Sequence, residues 1–138
     1  MEKVLVTGAT GFIGLHCIKL LLDRGYSVNG TLRSQDRQTE VVDSLERNNT
    51  PTRHLSLFQV DLNRDSGWDS AIRDCNYVVH VASPFVLTDE DEDFFVKPAV
   101  EGVQRALKFS KKHNVKKVIL TSSSVLLAYT LLKVGQVD

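Results

Sequence analysis

The sequence predicts an α/β protein: a doubly wound parallel sheet of about five strands in the order 3-2-1-4-5, with helices on both faces. Three observations carry this. Strand-like runs alternate with helix-periodic segments along the chain. The runs are apolar along their length rather than alternating with polar residues, as expected of strands buried on both faces. Right-handed crossovers between parallel strands then leave few topologies, of which the 3-2-1-4-5 order is the default. The 138 residues suit one domain, 1–138, with no internal repeat beyond the βα unit, no low-complexity segment and no linker.

Each element has a local reason. Lys3 to Thr7 is a β-branched apolar run and reads as the first strand. After glycine-rich Gly8 to Gly11, Phe12 to Arg24 has helical periodicity, with Ile13, Cys17, Leu20 and Leu21 on the expected inner face and Gly25 as the C-cap. Tyr26 to Leu32 is the second strand. Ser34 to Arg47 is polar, with Val41, Val42 and Leu45 spaced for a helix, and Asn48-Asn49-Thr50-Pro51 is a turn. His54 to Val60 is the third strand. Ser66 to Arg73 is a short helix with Trp68 and Ile72 inward. Tyr77 to Val81 is the fourth strand, broken by Ser83-Pro84; its one polar residue, His80, reads as a satisfied core histidine. The acidic stretch Thr88 to Asp93 precedes a long helix from about Phe94 to His113, and Lys117 to Leu120 is the fifth strand. Within the long helix, Lys97 and Glu101 are spaced for a surface pair, and Pro98 requires the helix to begin nearby.

Composition excludes several classes. At 42% hydrophobic and 25% charged, the chain is neither disordered nor a polyelectrolyte. Lys+Arg and Asp+Glu both number 17, so nothing favours nucleic acid or an anionic membrane. Cys17 and Cys75 lie in apolar segments without metal-ligand spacing and read as buried free thiols in a reducing compartment. No metal site is expected. The start of the chain enters a strand without a signal-peptide pattern, and no apolar run approaches the roughly 20 residues of a membrane span. The expected location is the cytoplasm.

The chemistry begins at Gly8-Ala-Thr-Gly11-Phe-Ile-Gly14, between the first strand and the first helix. Gly8 permits a tight turn, Gly11 lets a pyrophosphate approach the backbone, and Gly14 lets the helix pack close to the strand. The helix N-terminus adds unpaired N–H groups and a partial positive charge. The spacing is GxxGxxG rather than GxGxxG, but its position directly after the first strand is where a Rossmann-type dinucleotide fold requires it. The second strand ends Thr31-Leu32-Arg33-Ser34 with Arg37 soon after, and no carboxylate stands at the strand end to hold a ribose diol. A guanidinium there pairs with a 2′-phosphate and stacks on adenine, which favours NADP over NAD; the alternative is a solvated loop arginine.

Several stretches occur together and in order: TGATGFIG, Gly30-Thr-Leu-Arg33, Val60-Asp61-Leu62, Trp68-Asp69, Asp74-Cys75-Asn76-Tyr77-Val78, His80-Val-Ala-Ser-Pro84, Lys97-Pro-Ala-Val-Glu-Gly102 and Val118-Ile-Leu-Thr-Ser-Ser123. Over residues 3 to about 124 the chain resembles the extended short-chain dehydrogenase/reductases of the NAD-dependent epimerase/dehydratase superfamily, and within them the dihydroflavonol reductase and cinnamoyl-CoA reductase-like group. The resemblance implies an NADPH-dependent oxidoreductase that reduces a small-molecule aldehyde or ketone, dihydroflavonol-like, to an alcohol. The cofactor-binding residues it implies are Gly8, Thr10, Gly11, Phe12, Ile13, Gly14, Arg33, Arg37, Asp61, Leu62, Val81, Ala82, Ser83 and Thr121. Asp61 and Leu62 would sit against the adenine, although Asp61 also suits a turn or N-cap. Val81 to Pro84 would line the nicotinamide side, and Phe85 would face substrate.

In this family a tyrosine donates a proton to the carbonyl, a lysine lowers that tyrosine's pKa and binds the nicotinamide ribose, and a serine hydrogen-bonds the carbonyl. The pattern assigns the serine to Ser123, with Ser124 one position away; a strand-end serine can also be a simple cap. Tyr129 and Lys133 have the Tyr-x-x-x-Lys spacing, but Tyr129 follows Ser123 by only six residues. On a helix from Ser124 it would lie roughly 9 Å along the axis, at about 1.5 Å per residue, and the spacing reads as chance. The chain therefore reads as the cofactor half of a reductase that ends before the true tyrosine helix and the substrate lobe, and that is inactive by itself. The alternatives are a noncatalytic NADP-binding module and an NAD-dependent sugar epimerase or dehydratase. An exposed fifth-strand edge and the apolar tail Val125 to Val134 suggest self-association.

Overall fold

The computed structural model describes residues 1–83 and 92–124. In chain order these form β1 (Lys3–Thr7), α1 (Phe12–Asp23), β2 (Ser27–Leu32), a 3-10 turn (Gln35–Arg37), α2 (Gln38–Arg47), β3 (Leu55–Gln59), α3 (Trp68–Ile72), β4 (Tyr77–His80), α4 (Glu92–Lys112) and β5 (Lys117–Leu120). All strand pairings are parallel, and the sheet order is β3-β2-β1-β4-β5. The expected doubly wound topology is the observed one. Pro84, Phe85, residues 88–91, Tyr129 and Lys133 lie outside the described residues.

β1 is the axis of the fold. Successive side chains of a strand point to opposite faces, so Val4 and Val6 enter one core and Leu5 the other. On the first face, α1 and α2 contribute Ile18, Val41 and Leu45. On the second, α3 and α4 contribute Trp68, Ile72, Ala106 and Phe109. The Trp68 and Phe109 rings stack with centroids 6.0 Å apart, adding an aromatic pairing to the buried area. Asn29 of β2 is buried among these apolar groups and is satisfied by donating to the Ala71 carbonyl at 2.7 Å.

The structure corrects several local expectations. The inner face of α1 runs through Gly14 and Ile18, with Leu21 and Leu22 packed behind them, while Ile13 and Leu20 are 53% and 50% exposed. Gly14 faces the Gly8–Ala9 backbone just after β1, and that close approach sets the helical phase. Cys17 is accordingly half-buried, whereas Cys75 is buried. Arg24 is the C-cap of α1 and Gly25 follows it, with the Tyr26 N–H bonding the Leu21 carbonyl at 3.0 Å. Pro98 sits inside α4 rather than in its first turn, where it removes one helical hydrogen bond. β3 and β5 are not buried along their length: Ser56 and Gln59 are exposed on β3, as are Ile119 and Leu120 on β5. β3 is an edge strand and β5 pairs only with β4 among the described residues.

Candidate functional site

The carboxyl ends of β1, β2 and β4 converge on a cavity of about 510 Å³. This is where a doubly wound sheet binds ligands, because the strand order reverses beside β1. Its floor is the glycine loop. Gly8 has φ +80°, in the left-handed region, and a Cβ built on it would lie 3.2 Å from the Ala82 Cα, so the loop rests flat on the segment after β4. At Gly14 a Cβ would come within 2.0 Å of the Gly8 carbonyl oxygen, so a side chain fits only if helix and loop move apart. Gly11 is the N-cap of α1. No side chain caps the helix and no acidic residue stands in its first turn, so the start of α1 carries no protein anion.

A small buried network holds this floor. Thr7 and His80 are both buried. The N–H groups of Val81 and Ala82 each donate to Thr7 Oγ1 at 3.0 Å. Those two bonds occupy both hydroxyl lone pairs, so the Thr7 proton is donated to His80 Nδ1, 2.9 Å away. His80 is thus the neutral imidazole with its proton on Nε2, and burial pushes its pKa below the ordinary 6.5. From the other side, Thr31 of β2 accepts the Gly8 N–H on its hydroxyl at 3.2 Å and the Ala9 N–H on its carbonyl at 2.8 Å.

The cavity brings together most residues singled out from the sequence. Gly8, Thr10, Gly11 and Arg33, Asp61 and Leu62, and Val81, Ala82 and Ser83 all line it. The Arg33 side chain is exposed and has no ion pair among the described residues. Asp61 Oδ1 accepts the Asn63 N–H at 2.8 Å, so its carboxylate also shapes the turn, as its sequence context allowed. Phe12, Ile13 and Gly14 lie outside the lining; their side chains, if any, do not enter the cavity wall. Arg37 is not brought to the cavity. It donates through Nε and Nη2 to the two Glu40 oxygens at 2.9 and 2.8 Å, and the pairing lowers the Glu40 pKa and raises that of Arg37. Thr121 donates its N–H to the His80 carbonyl at 3.1 Å but is exposed and off the lining, as are Ser123 and Ser124.

Lys97 was missed as a site residue. The expected Lys97–Glu101 pair does not form; Glu101 instead takes Arg105 at 3.0 Å, and Lys97 lines the cavity beside Phe94 and Pro98 with no ion pair among the described residues. Helical spacing could not choose between two basic partners for Glu101. The usable signal was topological, since the first turns of α4 follow β4 and therefore stand at the ligand end of the sheet.

The match to known families follows this geometry. Residues 4–128 fit the model of the NAD dependent epimerase/dehydratase family. The chain belongs to that family. Among curated members, it is 38% identical over 123 residues to a dihydroflavonol 4-reductase of Dianthus caryophyllus, covering 88% of this chain and 34% of that one. It is 39% identical over 125 residues to an anthocyanidin reductase of Vitis vinifera, covering 89% and 36%. Among solved structures, the yeast methylglyoxal/isovaleraldehyde reductase Gre2 complexed with NADPH superposes with a TM-score of 0.77 at 34% identity, covering 88% of this chain and 37% of that one. The chain thus spans about a third of the length of these relatives. Each of these three relatives is a reductase. No helix among the described residues is long and apolar enough to cross a membrane.

Proposed function

We propose that this chain is the cofactor-binding domain, residues 1–138, of an NADPH-dependent reductase that converts an aldehyde or ketone, of the dihydroflavonol type, to an alcohol. One observation carries the cofactor assignment: Arg33, without an ion pair among the described residues, faces the same cavity as an uncapped helix start and a glycine floor. That donor set fits a dinucleotide bearing an extra phosphate. The first-turn N–H groups of α1 and the Gly8–Gly11 backbone would hold the pyrophosphate. Arg33 would hold the 2′-phosphate, and the absence of a carboxylate at the end of β2 removes the group that would prefer a ribose diol. Lys97 adds a second cation at the rim. Asp61 and Leu62 would border the adenine, and Val81, Ala82 and Ser83 the nicotinamide side.

The bound nicotinamide supplies hydride. The chain's own contribution is to bind and orient, with Ser123 the candidate to hydrogen-bond the substrate carbonyl and Thr121 beside it. A noncatalytic NADP-binding module is the second reading, favoured by the position of Ser123 off the cavity lining. The two free thiols suit a reducing compartment, the cytoplasm; burial pushes Cys75 up to about 11, which keeps it an unreactive thiol. The open edge of β5 is the candidate surface for self-association.

The test is calorimetric titration of the chain with NADPH and NADH. NADPH should bind more tightly, and Arg33→Ala should remove that preference, a loss of about tenfold to a hundredfold for a charge-assisted contact worth about 1.5–3 kcal/mol. Equal affinities in the unaltered chain would reject the NADP assignment.

A further inference from the structure

The cavity wall formed by Asp61 and Leu62 belongs to a loop with no strand or helix of its own, between β3 and α3. Something outside the loop must set its position. Trp68 Nε1 of α3 donates to the Asp61 carbonyl at 3.2 Å, and α4 provides a second tether at Leu62 and Asp65. Arg105 of α4, with a side chain only 19% exposed, donates Nη1 to the Leu62 carbonyl at 2.8 Å and Nε to Asp65 Oδ1 at 2.9 Å. The same Nη1 reaches Glu101 Oε2 at 3.0 Å, one helical turn back, which orients the guanidinium. One planar group therefore grips the loop at two points, Leu62 and Asp65, and only a guanidinium offers donors in that fixed fork.

Gly102, one turn before Arg105 on the same helix face, completes the seat. A Cβ there would lie 3.0 Å from Leu62 Cδ2, so Leu62 is pressed against bare helix backbone while Arg105 holds its carbonyl. α4 also brings Lys97 and Pro98 to the cavity. The helix that lines one side of the pocket thus fixes the other.

We propose that Arg105 is a positioning residue for the adenine-side wall, setting the affinity of the site for the adenosine half of its ligand without touching that ligand. The inference rests on the dinucleotide reading above. It makes Arg105 different from the neighbouring exposed pairs of the same seam, Lys108–Asp65 and Lys112–Asp69, which join α4 to the loop and α3 without holding a wall backbone atom.

The experiment is titration of the 138-residue chain with 2′,5′-ADP, together with amide hydrogen exchange, on the unaltered protein, Arg105→Gln, Asp65→Asn and Lys112→Ala. Arg105→Gln should weaken 2′,5′-ADP about tenfold, the size expected for losing a charged hydrogen bond. It should speed exchange at Leu62 to Asp65 while leaving β1 amides protected. Asp65→Asn, which keeps Arg105 buried and gives a foldable second variant, should weaken the ligand about threefold. Lys112→Ala should change neither readout. Unchanged affinity in both Arg105→Gln and Asp65→Asn, or an equal loss of protection in β1, would overturn the proposal, the second outcome marking Arg105 as a general stability residue. Failure of the unaltered chain to bind 2′,5′-ADP would be a different result: it would reject the dinucleotide reading and this inference together.

Discussion

β1 and β5 carry nearly interchangeable sequences, Lys3-Val-Leu-Val-Thr7 and Lys117-Val-Ile-Leu120, and meet opposite circumstances. β1 lies between β2 and β4 with helices on both faces, and every residue from Val4 to Thr7 is buried. β5 pairs with β4 alone among the described residues, and Ile119 and Leu120 are 53% and 43% exposed. Apolar β-branched sequence specifies that a strand forms; it does not specify how many neighbours cover it. The difference also organises the site. The cavity is built on the end of the buried strand, where Thr7 and Gly8 are held by contacts from β2 and β4, whereas Thr121 and Ser123 at the end of β5 are solvent-exposed and off its lining.

The sharpest test of this contrast is a matched pair of truncations. Leu5→Ala removes a fully buried side chain from between β1 and the α3–α4 layer and should cost about 2–5 kcal/mol. Leu120→Ala removes one already half in solvent and should stay within about 1 kcal/mol. Urea unfolding of both variants measures the gap. Equal losses would mean that β5 is covered in solution as thoroughly as β1.

The same contrast explains what could be read from the sequence. The five strands, their order and the glycine loop were legible because parallel sheets leave long apolar runs and because turns need glycine. Arg33 was legible as a cavity residue because strand ends in this topology face the ligand crevice, and Asp61 and the Val81–Ser83 stretch through the family resemblance. The inner face of α1 was not, since Gly14 sets the phase of the helix through a contact that an apolar periodicity does not register. Arg37 looked equivalent to Arg33, but Glu40 stands one turn away to take it. Lys97 read as half of a helix-surface pair with Glu101; that Arg105 takes Glu101 and Lys97 meets the cavity depends on where α4 lies against the loop after β3.

A second perturbation acts at the start of α1. Gly14→Ala places a Cβ 2.0 Å from the Gly8 carbonyl, so helix and loop must separate. The overpacking should cost about 1–3 kcal/mol, and NADPH affinity should fall with it because the displaced backbone is the cavity floor. A gain in thermal stability, the usual result of replacing a helical glycine by alanine, would show that the loop yields without strain. Thr7→Val is subtler. It preserves shape but strands the N–H groups of Val81 and Ala82 and leaves His80 Nδ1 without its donor. A loss of about 1–3 kcal/mol is expected from the unpaired groups, with weaker NADPH binding at temperatures where the variant is still folded.

The smallest expected effect falls on His80, which lies in register between Thr7 of β1 and Leu120 of β5. Its Nδ1 must accept the Thr7 proton, and a protonated imidazole would aim an N–H at a hydroxyl whose lone pairs are already taken. Burial acts in the same direction and holds the folded-state pKa below 6.5. The unfolded chain therefore binds more protons as pH falls below the ordinary histidine value. The contribution of His80 is fully present above about pH 6.5 and is lost as pH falls toward the folded-state pKa, at no more than about 1.4 kcal/mol per pH unit. The exposed carboxylates whose pKa values are lowered by their ion pairs, Asp65 and Asp69 among them, lose their pairing only at lower pH, below their ordinary 3.8. Unfolding free energies at pH 7 and 5.5 should thus separate the unaltered chain from His80→Gln, whose amide oxygen can still accept the Thr7 proton without titrating. A pH slope that survives in His80→Gln would reject the assignment of the acid sensitivity to His80, and the buried junction between the two strands would then be silent in this range.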